Sequence, residues 1–235
     1  LGGNEPVAFE PSSQQLLSLA GKVARTDATV LISGESGTGK EVLAQFIHQH
    51  SNRAKGPFVA INCAAIPENM LEATLFGYEK GAFTGAYNSS PGKFEQADGG
   101  TLLLDEISEM DIGLQAKILR VLQEREVERL GSRKTMKLDV RVIATTNRDL
   151  RQHVREGNFR EDLYYRLSVF PLAWLPLRQR RQDIVPLAER LLEQHAGRMG
   201  RSTVRLDEQA KLTLSQYAWP GNVRELDNVL QRALI

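Results

Sequence analysis

The chain has 235 residues, 41% hydrophobic and 25% charged, which suits one sizeable core or a large domain with a small companion. With 30 basic against 29 acidic residues the net charge is +1, which disfavours a dedicated nucleic-acid-binding domain; no run approaches the ~20 apolar residues of a membrane span. Cys63 is the one cysteine, so no intramolecular disulfide forms and a reducing cytoplasm is the natural setting.

"LGGNEP" opens the chain without a signal-peptide pattern, and "VLQRALI" closes it inside a helical pattern. Both ends read as cuts from a longer protein. Leu16, Leu17, Ala20 and Val23 fall on one face of a helix that Ser12 or Ser13 could cap. "ATVLIS" (28–33) is the first of five short, continuous apolar runs; "PFVAIN" (57–62), "TLLLD" (101–105), "DVRVIAT" (139–145) and "LSVFPL" (167–172) follow. Continuous rather than alternating runs suit strands covered on both faces of a parallel sheet. Between them, Val42, Leu43, Phe46, Ile47 and His50 mark one helix, and Leu114, Ile118, Leu119 and Leu122 mark another begun by Asp111. Cys63, just after an apolar run, reads as a buried structural thiol. The alternation predicts a doubly wound α/β fold. After about Leu172 the strands stop, and three helical segments follow, the last with Pro220 in its first turn. The expected organisation is an α/β unit over 1–173 and an all-helical unit over 174–235. Trp174 and Trp219 are expected to pack the helical unit against the α/β unit.

"VLISGESGTGKEVLAQFI" sets Gly34, Glu35, Ser36, Gly37, Thr38, Gly39 and Lys40 between a strand and a helix, fitting G-x-x-x-x-G-K. The glycines let backbone N–H groups turn onto a phosphate, the helix N-terminus adds its positive end, and Lys40 reaches the β- and γ-phosphates. Glu41 stands where the generic motif has a Mg²⁺-binding hydroxyl, which moves that burden elsewhere. "GGTLLLDEI" supplies carboxylates at a strand's C-terminal end: Asp105 for the Mg²⁺ shell, and Glu106 to orient or deprotonate an attacking water. "VIATTNRDL" brings Thr146 and Asn147 to the same edge, where they could sense the γ-phosphate. His48 and His50 point to different helix faces, and His153 and His195 are isolated, so no metal cluster is expected among the histidines. "GAFTGA", Gly81, Ala82, Phe83, Thr84, Gly85 and Ala86, is too glycine-rich for a helix or strand. It reads as a flexible loop carrying an aromatic ring, either a plug for the core or a contact for a partner.

With these motifs the chain resembles the AAA+ ATPase domain of σ54-dependent transcriptional activators, the bacterial enhancer-binding proteins of the NtrC type. "GESGTGKE", "TLFGYEKGAFTGA", "FREDLYYRL" and "WPGNVREL" carry the resemblance, and "DATVLISGESGTGKEVLAQFIHQHS" looks closest to flagellar-gene regulators. The resemblance implies an AAA+ P-loop fold with a five-stranded parallel sheet and a helical lid, ATP and Mg²⁺ as cofactors, and a hexameric or heptameric ring. GAFTGA would engage σ54 in the RNA polymerase holoenzyme. Arg160 and Arg166 match arginine fingers that reach a neighbour's nucleotide, Arg224 matches the sensor II arginine, and Asn62 matches a switch asparagine that contacts Glu106. The stretch 124–139, a solvated hairpin by its charge alone, resembles the second pore-side loop. DNA recognition in this family belongs to a C-terminal helix-turn-helix domain that this sequence lacks.

Two rival readings remain open from sequence. A different AAA+ machine, such as an unfoldase or helicase loader, also projects aromatics into a pore, but the threonine beside Phe83 and the extra loop at 124–139 speak against it. A non-hydrolysing ATP-binding scaffold is opposed by the joint presence of Asp105, Glu106, Arg160 and Arg166.

Overall fold

The computed structural model describes residues 5–202 and 204–235; Leu1–Asn4, part of the opening stretch read as a cut, lie outside the described residues. The chain runs from α1 (Pro11–Ala24) through β1 (Val30–Ser33), α2 (Lys40–Gln49), β2 (Phe58–Asn62) and α3 (Glu68–Phe76). Two short strands, β3 (Gly77–Tyr78) and β4 (Ser90–Pro91), bracket the GAFTGA segment, before α4 (Lys93–Gln96), β5 (Thr101–Asp105) and α5 (Ile112–Glu124). A hairpin, β6 (Glu126–Glu128) and β7 (Thr135–Lys137), precedes β8 (Arg141–Thr146), α6 (Leu150–Arg155), α7 (Glu161–Leu167) and β9 (Phe170–Ala173). Three helices finish the chain: α8 (Ile184–Arg198), α9 (Glu208–Gln216) and α10 (Asn222–Ala233).

The five apolar runs become one parallel sheet in the order β2-β5-β8-β1-β9. Successive residues of each strand serve opposite faces. Leu31, Leu102, Leu104, Val142 and Ala144 join α3, α5 and α7 on one side, while Val30, Ile32, Leu103, Ile143 and Leu172 join α1 and α2 on the other. Both faces are covered, which is why the strands read as unbroken apolar runs. The last helices bury a third cluster, including Leu177, Ile184, Ala188, Leu192, Leu226 and Leu230.

Several local expectations change. α1 is not capped by Ser12 or Ser13: Pro11 occupies its first turn, Glu10 is the N-cap without a side-chain bond, and buried Ser13 donates to Asp183 Oδ2 at 2.5 Å. Proline presets the helical φ and spares an amide that needs no partner there, so a hydroxyl cap is dispensable. Asp111 does cap α5, accepting from the Leu114 amide at 3.4 Å. Trp219 packs inside the helical unit's own core, edge-on to Tyr217, and its Nε1 donates to the Leu214 carbonyl. Trp174 belongs to the α/β cluster, and Arg180 from the helical side stacks over it at 4.2 Å. Pro220 lies before α10, which begins at Asn222. His195 is not isolated: its Nε2 lies 2.5 Å from Asp227 Oδ1. Among the described residues no helix is long and apolar enough to cross a membrane.

Candidate active site

β1 ends at Ser33 and the chain turns through 34–39 before α2 starts at Lys40. Gly37 and Gly39 take φ of +78° and +94°, a region closed to most side chains. Space is equally short: a Cβ on Gly37 would meet the Gly221 carbonyl at 2.8 Å, and one on Gly34 the Trp174 carbonyl at 2.7 Å. Lys40 is buried beneath this loop, donating to the carbonyls of Gly34 (2.8 Å) and Glu35 (3.2 Å). Its ammonium also lies 3.6 Å from Glu106 Oε1. Burial pulls the lysine below its ordinary pKa, opposed by the charges of Glu106 and Asp105. Thr38 is buried and donates to the Glu35 carbonyl at 2.8 Å; Ser36 is exposed, and Glu41 sits in the first turn of α2.

Parallel pairing delivers Asp105 and Glu106 to the same sheet edge. Thr145 Oγ1 donates to Asp105 Oδ1 and accepts from the Glu106 amide at 3.0 Å. Glu106 takes φ of +55°, an uncommon conformation for a non-glycine residue, and its Oε2 accepts from the Asn147 amide at 3.2 Å. Thr146 faces elsewhere: its hydroxyl pairs with the Arg148 backbone, and its carbonyl accepts from the Gly34 amide at 3.2 Å. The hydroxyl that meets the acid pair is therefore Thr145, one position before the sequence candidate. Adjacent threonines on a strand point to opposite faces, and nothing local says which faces the carboxylates. Asn62 sits opposite Asp105 in register, and its Oδ1 accepts from the amides of Ala64 and Ala65 at 2.9 and 3.2 Å. In this structure it forms the strand-end turn, while Glu106 is held by Lys40 and Asn147.

The helical unit reaches the loop through Arg224 and through three residues the sequence did not single out, Asn222, Arg178 and Arg180, together with the Val223 amide. Asn222 Nδ2 donates to the Ser36 carbonyl (3.3 Å), the Val223 and Arg224 amides to the Gly37 carbonyl (2.8 and 3.3 Å), and Arg180 to the Thr38 carbonyl (3.1 Å). Arg224 also approaches Ser36 Oγ at 3.4 Å, and Arg178 forks onto the Glu35 carboxylate at 2.9 and 2.5 Å. Beside the loop a cleft of about 370 Å³ opens between α2 and α8, lined by Val7, Val42, Trp174, Leu187 and Leu191 among others.

Arg160 and Arg166 stand away from this cluster. Arg160 is the N-cap of α7 and forks onto Asp162 at 3.0 and 2.9 Å; Arg166, in its last turn, donates to the Leu122 carbonyl at 3.0 Å. The GAFTGA segment folds into a closed turn: the Gly81 amide donates to Ala86 and the Ala86 amide to Phe83, with Gly81 and Gly85 at φ of +83° and +98°. Phe83 lies edge-on to Tyr78 at 4.9 Å yet remains 44% exposed, Thr84 is exposed, and Ala86 is buried. The β6–β7 hairpin supports the turn, since Leu130 exchanges backbone bonds with Gly77 and Glu79, both 2.9 Å, and Gly131 packs against Ala82. The 124–139 stretch is thus a hairpin, as its charge suggested, with its tip on GAFTGA.

Residues 7–173 match the sigma-54 interaction domain and residues 178–235 the AAA+ ATPase lid domain. Response regulator protein FleR of Pseudomonas aeruginosa is 71% identical over 230 residues, covering 98% of this chain and 49% of FleR. The sigma54-dependent transcriptional activator SfnR of Pseudomonas putida is 53% identical, covering 96% of this chain and 62% of SfnR. A crystal structure of NtrX from Brucella abortus in complex with ATP superposes with a TM-score of 0.90 at 40% identity, covering 97% of this chain and 50% of NtrX. The chain spans about half the length of the curated relatives it matches. With the first family match over the five-stranded sheet and the second over the closing helices, the chain belongs to the sigma-54 interaction domain family and carries an AAA+ ATPase lid.

Proposed function

We propose that this domain is an ATP-hydrolysing, ring-forming activator that remodels the σ54–RNA polymerase closed promoter complex through its GAFTGA turn. Residues 1–173 form the ATPase unit and 174–235 its lid. The observation that carries the reading is the convergence of Lys40, the Gly34–Gly39 loop, Asp105 and Glu106 at one sheet edge, with Lys40 and Glu106 3.6 Å apart. The loop has no room for side chains at Gly34 or Gly37 and suits a close backbone approach to phosphate. NtrX binds ATP on the same scaffold. The apolar cleft beside Trp174 suits the base.

The donor set fits a hard divalent cation, because Asp105 presents a carboxylate oxygen beside the Thr145 hydroxyl at this edge. Asp105 would hold Mg²⁺ through its water shell, and the ion, when bound, supplies charge neutralisation at the phosphate oxygens. Lys40 places a cation on the β- and γ-phosphates, and Glu106 orients the attacking water, with Thr146 and Asn147 close by on β8's end. Arg160 and Arg166 act in trans, and Arg224 links the lid to nucleotide state. Asn62 signals that state by exchanging its turn amides for Glu106. Phe83 and Thr84, on an exposed turn between positive-φ glycines, form the contact with σ54. The protein works in the cytoplasm, bound to DNA through a separate C-terminal domain.

Turnover of ATP should rise with protein concentration and vanish in Glu106→Ala. Thr84→Ala should keep turnover yet lose capture of σ54 in the presence of ADP–metal fluoride. Full capture by that variant would remove the turn from the mechanism.

A further inference from the structure

We propose that the lid orients the phosphate loop by gripping its carbonyls, with Asn222 and Arg180 as positioning residues for the amides that meet phosphate. This rests on the nucleotide-site reading above and deepens it.

In a planar trans peptide the C=O and the following N–H point in opposite directions. Three consecutive carbonyls, those of Ser36, Gly37 and Thr38, are held from the lid side: by Asn222 Nδ2, by the Val223 and Arg224 amides, and by Arg180. The same three peptide units carry the amides of Gly37, Thr38 and Gly39, which are therefore turned away from the lid. The two preceding carbonyls, Gly34 and Glu35, face the other way, onto Lys40. Over residues 36–39 the loop thus has a carbonyl side for the lid and an amide side for an anion. Glycines at 37 and 39 make those peptide units free to flip, and one flip would present a carbonyl to phosphate. The lid's donors remove that freedom.

Asn222 and Arg180 are built for this task. Asn222 is fully buried at φ of +52° and uses both ends of its amide: Oδ1 accepts from the Leu177 amide (3.0 Å) while Nδ2 holds Ser36. Strain of that kind persists where surrounding contacts over-determine the conformation. Arg180 is 2% exposed and stacks on Trp174. Its guanidinium also donates to the Leu175 carbonyl at 2.9 Å and lies 3.5 Å from Asp183 Oδ2. A planar fork meets two carbonyls and a carboxylate at once, which a lysine cannot do.

The test uses the 235-residue chain and measures dissociation constants for ATP and AMP, with KM and kcat for turnover. N222D keeps the acceptor for Leu177 and replaces the donor to Ser36 with an oxygen; N222G keeps the backbone conformation and removes both; R180K keeps the charge and loses the fork. Each variant that retains the wild-type near-ultraviolet circular dichroism should bind ATP at least tenfold more weakly, with AMP affinity changed less than twofold and KM raised more than kcat falls. Equal losses for ATP and AMP, or ATP binding within twofold of wild type in any folded variant, would overturn the proposal. Lys40→Ala separates the two readings: if it binds ATP like wild type the nucleotide-site reading fails, whereas normal binding by N222D beside lost binding by Lys40→Ala defeats only the lid's role.

Discussion

At the level of single residues, charge and burial make opposite demands around the candidate site. Cys63 is buried, and burial, aided by the negative charges of Asp105 and Glu106, pushes its thiol up to about 12. Only the thiolate reacts readily, so at pH 8 a disulfide reagent should label Cys63 at the rate of global unfolding. Labelling within the mixing time would contradict the packed strand end. Glu35 behaves in the other direction: hydrogen bonding by Arg178 holds its carboxyl below the ordinary glutamate value. A depressed carboxylate contributes stability that is present above the unfolded-state pKa and is lost as pH falls through the lowered folded value. Both partners are well exposed, so the effect is small. Melting temperatures of wild type and Glu35→Gln should differ slightly near neutrality and converge at acid pH. A gap that widens on acidification would reverse the assignment.

Among the elements, α1 shows how a helix end can be finished from far away in sequence. Arg141 opens β8, is buried, and donates to the carbonyls of Val23 (2.8 Å), Ala24 (2.9 Å) and Ala28 (3.2 Å). The last-turn carbonyls of α1 carry the negative end of the helix dipole, so a cation there is doubly favoured. Desolvation lowers the arginine's pKa, and a guanidinium keeps its charge in proteins. Arg141→Ala would leave buried carbonyls without donors and open a cavity. Urea denaturation should show a loss of about 3 kcal/mol, and a loss below 1 kcal/mol would mean water replaces the guanidinium. The GAFTGA turn shows the opposite arrangement: Gly81 and Gly85 accept positive φ, the Phe83 ring rests edge-on against Tyr78, and the neighbouring hairpin braces the base.

For the whole molecule, the exposed arginines carry the decisive prediction. Arg160 is paired with Asp162 in an exposed ion pair, which in the proposed ring would open to a phosphate on the neighbouring subunit. Arg160→Ala and Lys40→Ala should each lose turnover, and mixing them should restore part of it, because some interfaces then combine an intact loop with an intact finger. No recovery at any ratio would count against action in trans. How much of this was legible beforehand follows from where each signal is stored. Strands buried on both faces leave continuous apolar runs, and a phosphate loop needs glycines at fixed spacing, so the sheet and the Lys40 loop could be read directly. Thr145, Asn222, Arg178 and Arg180 reach backbone or carboxyl groups of the site that lie 40 to 186 positions away. Such contacts impose no local periodicity. The resemblance pairs Asn62 with Glu106, whereas here its side chain serves the strand-end turn, because a turn and a switch use the same amide.

Asp183 has a practical consequence for anyone shortening or fusing this domain. Its carboxylate, fully buried, takes the Phe9 and Glu10 amides at 2.6 and 2.7 Å as well as the Ser13 hydroxyl. A version trimmed to the first helical residue would keep every element of the sheet and still strand that carboxylate with half its donors gone. Boundaries for expression, and junctions for grafted input domains, should therefore fall ahead of Phe9, although the regular secondary structure begins at Pro11.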